Sequence, residues 1–213
     1  MAQAALAEVG QVPWRKPADQ AYLDRYGRVW LIWTIALTVP FVVTGLGLLA
    51  VTWLTIPVAA IAFVQAWINP ELYAFRGASV LRPKGARHEQ SEPVAQGLLG
   101  DLLGHEERDL QRQTGIALQR GAMGVWMVGE AGAILLAPGG RRAHCFCVRV
   151  TDPGLPPSDR VAHLLLALRT DEQGFATVAN HAFCGAPWRV RRRLPKPMRP
   201  ALDAARSLAR EPR

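Results

Sequence analysis

Sulfur and imidazole are the side-chain groups of this sequence that are best placed to do chemistry. Cys145 and Cys147 lie two residues apart in an apolar run that we interpret as a β-strand. Such a strand places both side chains on one face. His181 and Cys184 follow later in the chain. If the later segment packs beside the strand, these four residues, the Cys/His group, supply three sulfurs and one nitrogen, a tetrahedral ligand set suited to zinc.

Two interpretations of the Cys/His group stay open. A zinc site or a reactive thiol is one of them. The other is that the cysteines are small buried hydrophobes, because Cys-x-Cys is a much weaker metal signal than paired Cys-x-x-Cys motifs. His144 and Phe146 would then face the opposite side of the strand. On this second interpretation we expect no bound metal, and thiols that titrate only on denaturation.

A basic run near the end of the sequence is the second candidate. From Trp188 to Arg213 there are nine basic and two acidic residues, which account for almost all of the chain's net charge of +8. Anionic lipid headgroups or nucleic-acid phosphates could bind such a run, or it could simply be a solvated face. A lipid is the nearer anion for a protein held at a membrane, so nucleic acid is the less expected ligand. The candidate contact residues are Arg189, Arg191, Arg192, Arg193 and Lys196.

Other catalytic classes find no positive support in the sequence. His105, Glu106 and Glu107 are adjacent, but neighbours on a helix diverge by about 100°, and the His-Glu-x-x-His zinc pattern is missing. The glycine-rich segments 129–132 and 138–140 lack the spacing of a Walker loop or a dinucleotide fingerprint, and turn chemistry explains both. The sequence also contains no Gly-x-Ser-x-Gly elbow and no kinase motif set.

An uncharged apolar segment determines the N-terminal architecture. No Asp, Glu, Lys, Arg or His occurs in the 42 residues between Arg28 and Glu71. At about 1.5 Å per residue these would form a helix roughly twice as long as the hydrocarbon core is thick. We therefore predict two spans in a transmembrane helical hairpin, from about Val29 to Gly47 and from about Val51 to Asn69, with Pro70 ending the second helix.

The residues that flank this hairpin predict its orientation. Arg and Lys are abundant on both outer sides and the turn carries no charge, so by the positive-inside rule both termini are cytoplasmic. A cleaved signal peptide is the alternative, but its apolar core would be shorter and nearer the start. The 22 Arg against 3 Lys are typical of a GC-rich bacterial genome, which makes the bacterial cytoplasmic membrane the expected location.

The composition of the spans favours an anchor over a transporter. They contain no ionisable side chain, whereas pumps and ion-coupled transporters usually place such groups in the bilayer. Ala59, Ala62 and Ala66 form a stripe of small residues at helical spacing. This stripe would allow close approach to the first helix or to a second copy, although general alanine usage explains it equally well.

The rest of the chain predicts a small α+β cytoplasmic domain with an antiparallel β-meander and packed helices. Three short apolar runs within residues 124–150 are separated by glycine-rich spacers, as in hairpins. A helix is predicted from Asp159 to Thr170, a further strand from Phe175 to Val178, and a last helix from Pro200. The predicted division is an N-terminal segment 1–28, hairpin 29–69, linker 70–90, domain 91–195 and basic helix or tail 196–213.

These features predict a membrane-anchored cytoplasmic interaction or regulatory module that has an unidentified protein partner, no cofactor and no enzymatic activity. The alternative is a membrane-tethered metal-binding protein or thiol-dependent enzyme that uses the Cys/His group, with zinc as the metal. The bilayer is a partner in both cases, and the basic run adds anionic lipid headgroups.

Overall fold

The computed structural model describes residues 16–82, 91–149 and 154–211. These residues form eight α-helices and one five-stranded antiparallel sheet, which confirms the α+β class. The helices are α1 Gln20–Val51, α2 Ile56–Ala78, α3 Glu92–Leu102, α4 His105–Thr114, α5 Pro157–Thr170, α6 Glu172–Val178, α7 Pro187–Arg193 and α8 Arg199–Arg210. The strands are β1 Ala117–Arg120, β2 Val125–Gly129, β3 Gly132–Leu136, β4 Ala143–Cys147 and β5 Asn180–Gly185, and short 3₁₀ turns cover Trp53–Thr55, Ser79–Leu81 and Lys196–Met198.

Helices α1 and α2 form a helical hairpin. The Asp19 carboxylate caps α1 by accepting the Tyr22 N–H at 2.7 Å. The alanine stripe of α2 is buried, and Gly45 of α1 lies so close to Phe63 that a Cβ there would be 2.8 Å from the ring. The stripe is thus used within the chain, where small residues bring the two helices together.

The outer surface of this hairpin is apolar and faces no other part of the described chain. Ile32, Val43 and Ile61 are each more than 60% exposed. Two helical segments, Gln20–Val51 and Trp53–Leu81, are long enough and apolar enough to cross a membrane. Length and composition alone support this property.

The prediction that Pro70 ends the second helix is wrong, because α2 continues through Pro70 to Ala78. Proline has no N–H to donate within a helix, but tertiary packing outweighs that loss here. Glu71, Ala74 and Ala78 beyond it are all buried. Residues 70–82, expected as a linker, are therefore largely helical and packed, and residues 83–90 of that linker lie outside the described residues.

The predicted three-stranded meander is present as β2, β3 and β4, and β1 and β5 extend it at its two edges. Its register pairs Trp126 with Leu135 and Leu135 with His144. Strand β5 pairs with β4 through a bulge that lies opposite Cys145 and Phe146. All five strands are antiparallel to their neighbours.

The strand predicted from Phe175 to Val178 is wrong. These residues belong to α6, and β5 begins at Asn180. The Asp171 carboxylate accepts the Gly174 N–H at 2.7 Å and so caps the helix at its start. Phe175 is then buried as a helical residue against the sheet, where its ring lies 5.6 Å from that of Trp126.

Helices cover both faces of the sheet, and we call the two cores face A and face B. Face A joins one side of the sheet to the end of α2, to Val80 and Leu81, and to α7 and α8. Face B joins the other side to α3, α5, α6 and the start of α1. The apolar stripe of α5, formed by Val161, Leu164, Leu165 and Leu168, lies in face B. Because Leu23 packs in face B and Trp30 against face A, α1 crosses the sheet edge formed by β5.

Candidate functional site

A groove lies where the hairpin meets the domain, and we call it the hairpin-base groove. It consists of two adjoining cavities of about 300 and 280 Å³. The residues that line both cavities are Trp30, Thr34, Pro70 and Tyr73. The two cavities therefore meet at these side chains of α1 and α2, with an apolar half on one side and a basic half on the other.

The apolar half of the groove runs along the hairpin. Val29, Trp33 and Leu37 of α1 line it, and Asn69 of α2 closes one side. The Asn69 amide is held in place, because its Nδ2 donates to the Leu37 carbonyl at 3.4 Å and its Oδ1 accepts from Gln65 at 2.8 Å. The lining of this half is otherwise mainly apolar, although the buried Thr38 hydroxyl also lines it and has no hydrogen-bond partner among the described residues.

The basic half is lined by three arginines, Arg141, Arg142 and Arg189. Arg141 and Arg142 lie at the turn between β3 and β4, and Arg189 lies in α7. Arg142 has one acidic neighbour, Asp24, at 3.9 Å. Arg189 lies over the Trp188 ring, 5.2 Å from its centroid. Within the described chain, neither Arg141 nor Arg189 forms an ion pair.

A close approach of α1 to β5 forms one side of the basic half. A Cβ at Gly27 would lie 2.7 Å from Arg142 Nη1 and 3.4 Å from Cys184 Sγ, so glycine allows the helix to reach the strand. One turn further along α1, the Trp30 ring packs edge-on against Tyr73 at 5.1 Å and against Phe183 at 5.6 Å. The Phe183 contact fixes the helix against β5, and the Tyr73 contact fixes it against α2.

The Cys/His group is divided between the two faces of the sheet. Cys145 lies in the face A core and Cys147 packs against it, as their period-2 spacing predicts. Cys184 pairs with His144, and His181 pairs with Phe146, so these residues point to face B. Among the described residues, no three His, Cys, Asp or Glu side chains are placed to hold a metal ion. A zinc site formed by the Cys/His group stays a prediction, which metal analysis of the purified protein would test.

The structure instead brings together an imidazole pair with one sulfur. His144 Nδ1 lies 3.2 Å from His181 Nε2, so one of these nitrogens donates to the other. Cys184 Sγ lies 3.9 Å from His144 Nε2, on the other side of that ring. His181 is stacked between Tyr26, at 3.8 Å, and Phe146, at 4.5 Å, and the Tyr26 hydroxyl donates to its carbonyl at 2.8 Å.

Burial keeps this group uncharged. It lowers the pKa of His144 to about 4, and the nearby Arg142 charge lowers it in the same direction. Burial also lowers the pKa of His181 to about 3, with a further contribution from His144. The pKa of Cys184 is raised to about 12 by burial, against which Arg142 acts. At neutral pH the group holds a thiol and two neutral rings, and thiolate chemistry is disfavoured.

Acid is expected to destabilise the folded protein through this pair. The folded pKa of His144, about 4, lies below its ordinary value of 6.5, so the stabilisation is complete above pH 6.5 and is lost as the unfolded chain takes up protons. For His144 alone, the free energy of unfolding is about 2 kcal/mol lower at pH 5 than at neutral pH. Unfolding of the full chain in detergent between pH 5 and 7.5 measures how steeply the free energy of unfolding changes with pH, and we call this change the pH slope.

A matched pair of variants tests whether the buried histidines cause the pH slope of the free energy of unfolding. His144→Gln/His181→Gln should flatten it, and His105→Gln should leave it unchanged, because the His105 side chain is 90% exposed. An unchanged slope in the double variant would show that other groups carry the acid sensitivity.

The basic run is folded and not an extended tail. The Arg191 guanidinium donates to both oxygens of Asp203, at 2.9 and 2.8 Å, which lowers the pKa of that carboxyl. Arg193 and Arg192 both reach the buried Glu71 carboxylate of α2. Three of the five predicted anion contacts are thus paired with acids of the chain itself. Arg189 lines the hairpin-base groove and Lys196 is exposed.

Sequence reasoning missed the residues that form the groove. Arg141 and Arg142 follow Pro138-Gly139-Gly140, which turn chemistry explained, so the two cations were treated as part of a hairpin connection. Trp30 lies near the start of the first predicted span, where a tryptophan is typical of a membrane interface and does not by itself indicate a binding site. A signal was nevertheless present in the chain, since Gly27 interrupts the row of large residues that precedes the spans.

Comparison of the chain with protein-family models, with curated proteins and with solved structures finds no match. Arguments about its function therefore rest on the geometry of the chain itself.

Proposed function

We propose that the chain is a membrane-anchored cytoplasmic module with an interaction or regulatory role. In this proposal α1 and α2 cross the bilayer as a hairpin and both termini lie in the cytoplasm. The observation that carries the proposal is the contrast along each helix. The outer parts expose large apolar side chains such as Ile32 and Ile61, whereas Leu23 and Ala78, at the ends near the domain, are buried in its core.

The join between hairpin and domain supports a module of fixed orientation. Glu71 of α2 accepts a hydrogen bond from Arg193 Nε at 2.8 Å, and Arg82 donates to the Arg193 carbonyl at 2.7 Å. Gly77 lies so close to Phe183 of β5 that a Cβ there would be 2.8 Å from its side chain. A domain attached in this way presents one defined face to the bilayer.

An interaction role suits this chemistry better than catalysis. The alternative, a thiol-dependent enzyme, needs a thiolate, and the pKa of Cys184 lies near 12. A buried neutral imidazole pair packed between aromatic rings fits a structural role. A protein partner, like the bacterial origin of the membrane, stays a prediction.

Reporter fusions test the anchor and its topology. Fusions after Pro83 and at the C-terminus should report the cytoplasm, and a fusion in the hairpin turn after Thr52 should report the opposite side. The protein should also remain in the membrane pellet after carbonate extraction. A C-terminus on the far side would indicate one span or a cleaved signal, and release by carbonate would contradict the anchor.

A further inference from the structure

We propose that the hairpin-base groove binds one anionic phospholipid of the cytoplasmic leaflet. The lipid phosphate would lie among Arg141, Arg142 and Arg189, and an acyl chain would lie in the apolar half beside Leu37. This inference rests on the proposed membrane anchor and adds a ligand and a site to it.

The arrangement of charge in the groove points to an anion. Arg191, Arg192 and Arg193 of the basic run are matched by Asp203 and Glu71. The groove arginines are not matched in this way, since Arg142 has only the long 3.9 Å contact to Asp24. Positive charge is therefore concentrated in the basic half, and a phosphate would complement it.

The apolar half distinguishes a lipid from a soluble phosphate. Trp30 and Thr34 line both halves, and from them the apolar half extends along α1 to Leu37, within the proposed first span. A bound phosphate would occupy only the basic half. A phospholipid fills both, because its headgroup lies at the depth of the arginines while its acyl chain runs along the hairpin. Trp188 lines the basic half, and a tryptophan beside the arginines suits the interfacial region.

Tryptophan quenching in vesicles tests the site. Full-length protein is reconstituted in phosphatidylcholine with a minor fraction of phosphatidylglycerol, and acyl-brominated forms of each lipid are compared at equal mole fraction. Trp30 and Trp33 line the apolar half, so in a background of Trp53→Phe/Trp67→Phe, which removes two exposed rings of the hairpin, brominated phosphatidylglycerol should quench more than brominated phosphatidylcholine. Equal quenching by the two lipids would overturn the proposal.

Two variants separate a site from a charged surface. Arg141→Gln/Arg142→Gln/Arg189→Gln should remove the preference for phosphatidylglycerol. A matched control, Arg112→Gln/Arg169→Gln/Arg210→Gln, changes the net charge equally at exposed positions and should keep the preference. Thr34→Phe places a large ring where the two halves meet. It should also abolish the preference for phosphatidylglycerol, although every arginine remains. If Thr34→Phe keeps it, the arginines act as a surface patch and the site is wrong.

Separate readouts distinguish failure of the lipid site from failure of the anchor. Flotation of the vesicles in carbonate shows whether the chain is inserted, and near-UV circular dichroism shows whether each variant keeps the native packing of its aromatic residues. Inserted, folded protein without lipid preference contradicts the site alone. Protein that does not float contradicts the anchor, and with it the site.

Discussion

A fragment that begins at Ser91 is expected to fail to fold cooperatively, although it contains the whole sheet and six helices. The reason is that the hairpin ends complete both cores. Leu23 in face B and Leu81 in face A are at most 1% exposed, and Ala74, Ala78 and Val80 are buried with Leu81 in face A. Burying a leucine side chain contributes about 2 kcal/mol, and a domain has only about 5 to 15 kcal/mol in total.

A chain that keeps only the helix ends is the control for this prediction. Residues 16–28 joined to 70–211 by a short flexible linker lack the apolar hairpin but retain Leu23, Ala78 and Leu81. This chain should give a sharp thermal transition and a native near-UV spectrum. The fragment from Ser91 should show neither, with exposed apolar surface that binds a hydrophobic dye. Equal cooperativity in the two chains would contradict the shared core.

A large loss of folding stability is also expected when the buried carboxylate of Glu71 loses its arginine partner. Its side chain is 8% exposed and the Arg193 guanidinium is its closest ion-pair partner. Among the described residues, Arg193→Met would leave the carboxylate with Arg192, at 3.7 Å, as its remaining ion-pair partner. An uncompensated buried charge typically costs about 3 to 5 kcal/mol. Because Arg192 still partly compensates the Glu71 charge, we expect a loss of stability at the lower end of that range in unfolding experiments on the full chain in detergent.

A double-mutant cycle shows whether the loss comes from the stranded charge. Glu71→Met/Arg193→Met removes both members of the pair and should recover most of the stability, since an apolar pair of similar volume replaces it. Arg191→Met is the matched control at an exposed pair with Asp203, where about 1 kcal/mol or less is expected. Additive losses in the cycle would mean that Arg193 acts by packing alone.

Much of the architecture was predictable, because it follows from local patterns. The uncharged segment between Arg28 and Glu71 predicts two long apolar helices, and the glycine-rich spacers predict the meander. The stripe of α5 predicts a buried helical face. In each case a local feature identifies the element, namely the length of the uncharged segment, the glycine-rich spacers or the helical period of the apolar residues, and no distant contact is needed to recognise it.

The features that escaped prediction depend on contacts between distant segments. Pro70 predicts a helix end locally, but packing of the following turns against the domain keeps α2 intact. His181 and Cys184 are three residues apart, so a regular strand would place them on opposite faces. The bulge in β5 shifts the register by one residue and turns both toward His144. No spacing rule reveals such a bulge, which places both residues on the face opposite to Cys145 and Cys147.

The central claim is that the first helix of the hairpin docks on β5 of the domain, and a single cross-link tests it most directly. A Cβ at position 27 lies 3.4 Å from Cys184 Sγ, close to the separation within a disulfide. In a background of Cys145→Ala/Cys147→Ala, Gly27→Cys should form an intramolecular disulfide under mild oxidation of native membranes. Arg28→Cys, turned about 100° around the helix, should not. Absence of the bond in Gly27→Cys, or equal bonding in both variants, would contradict the docking.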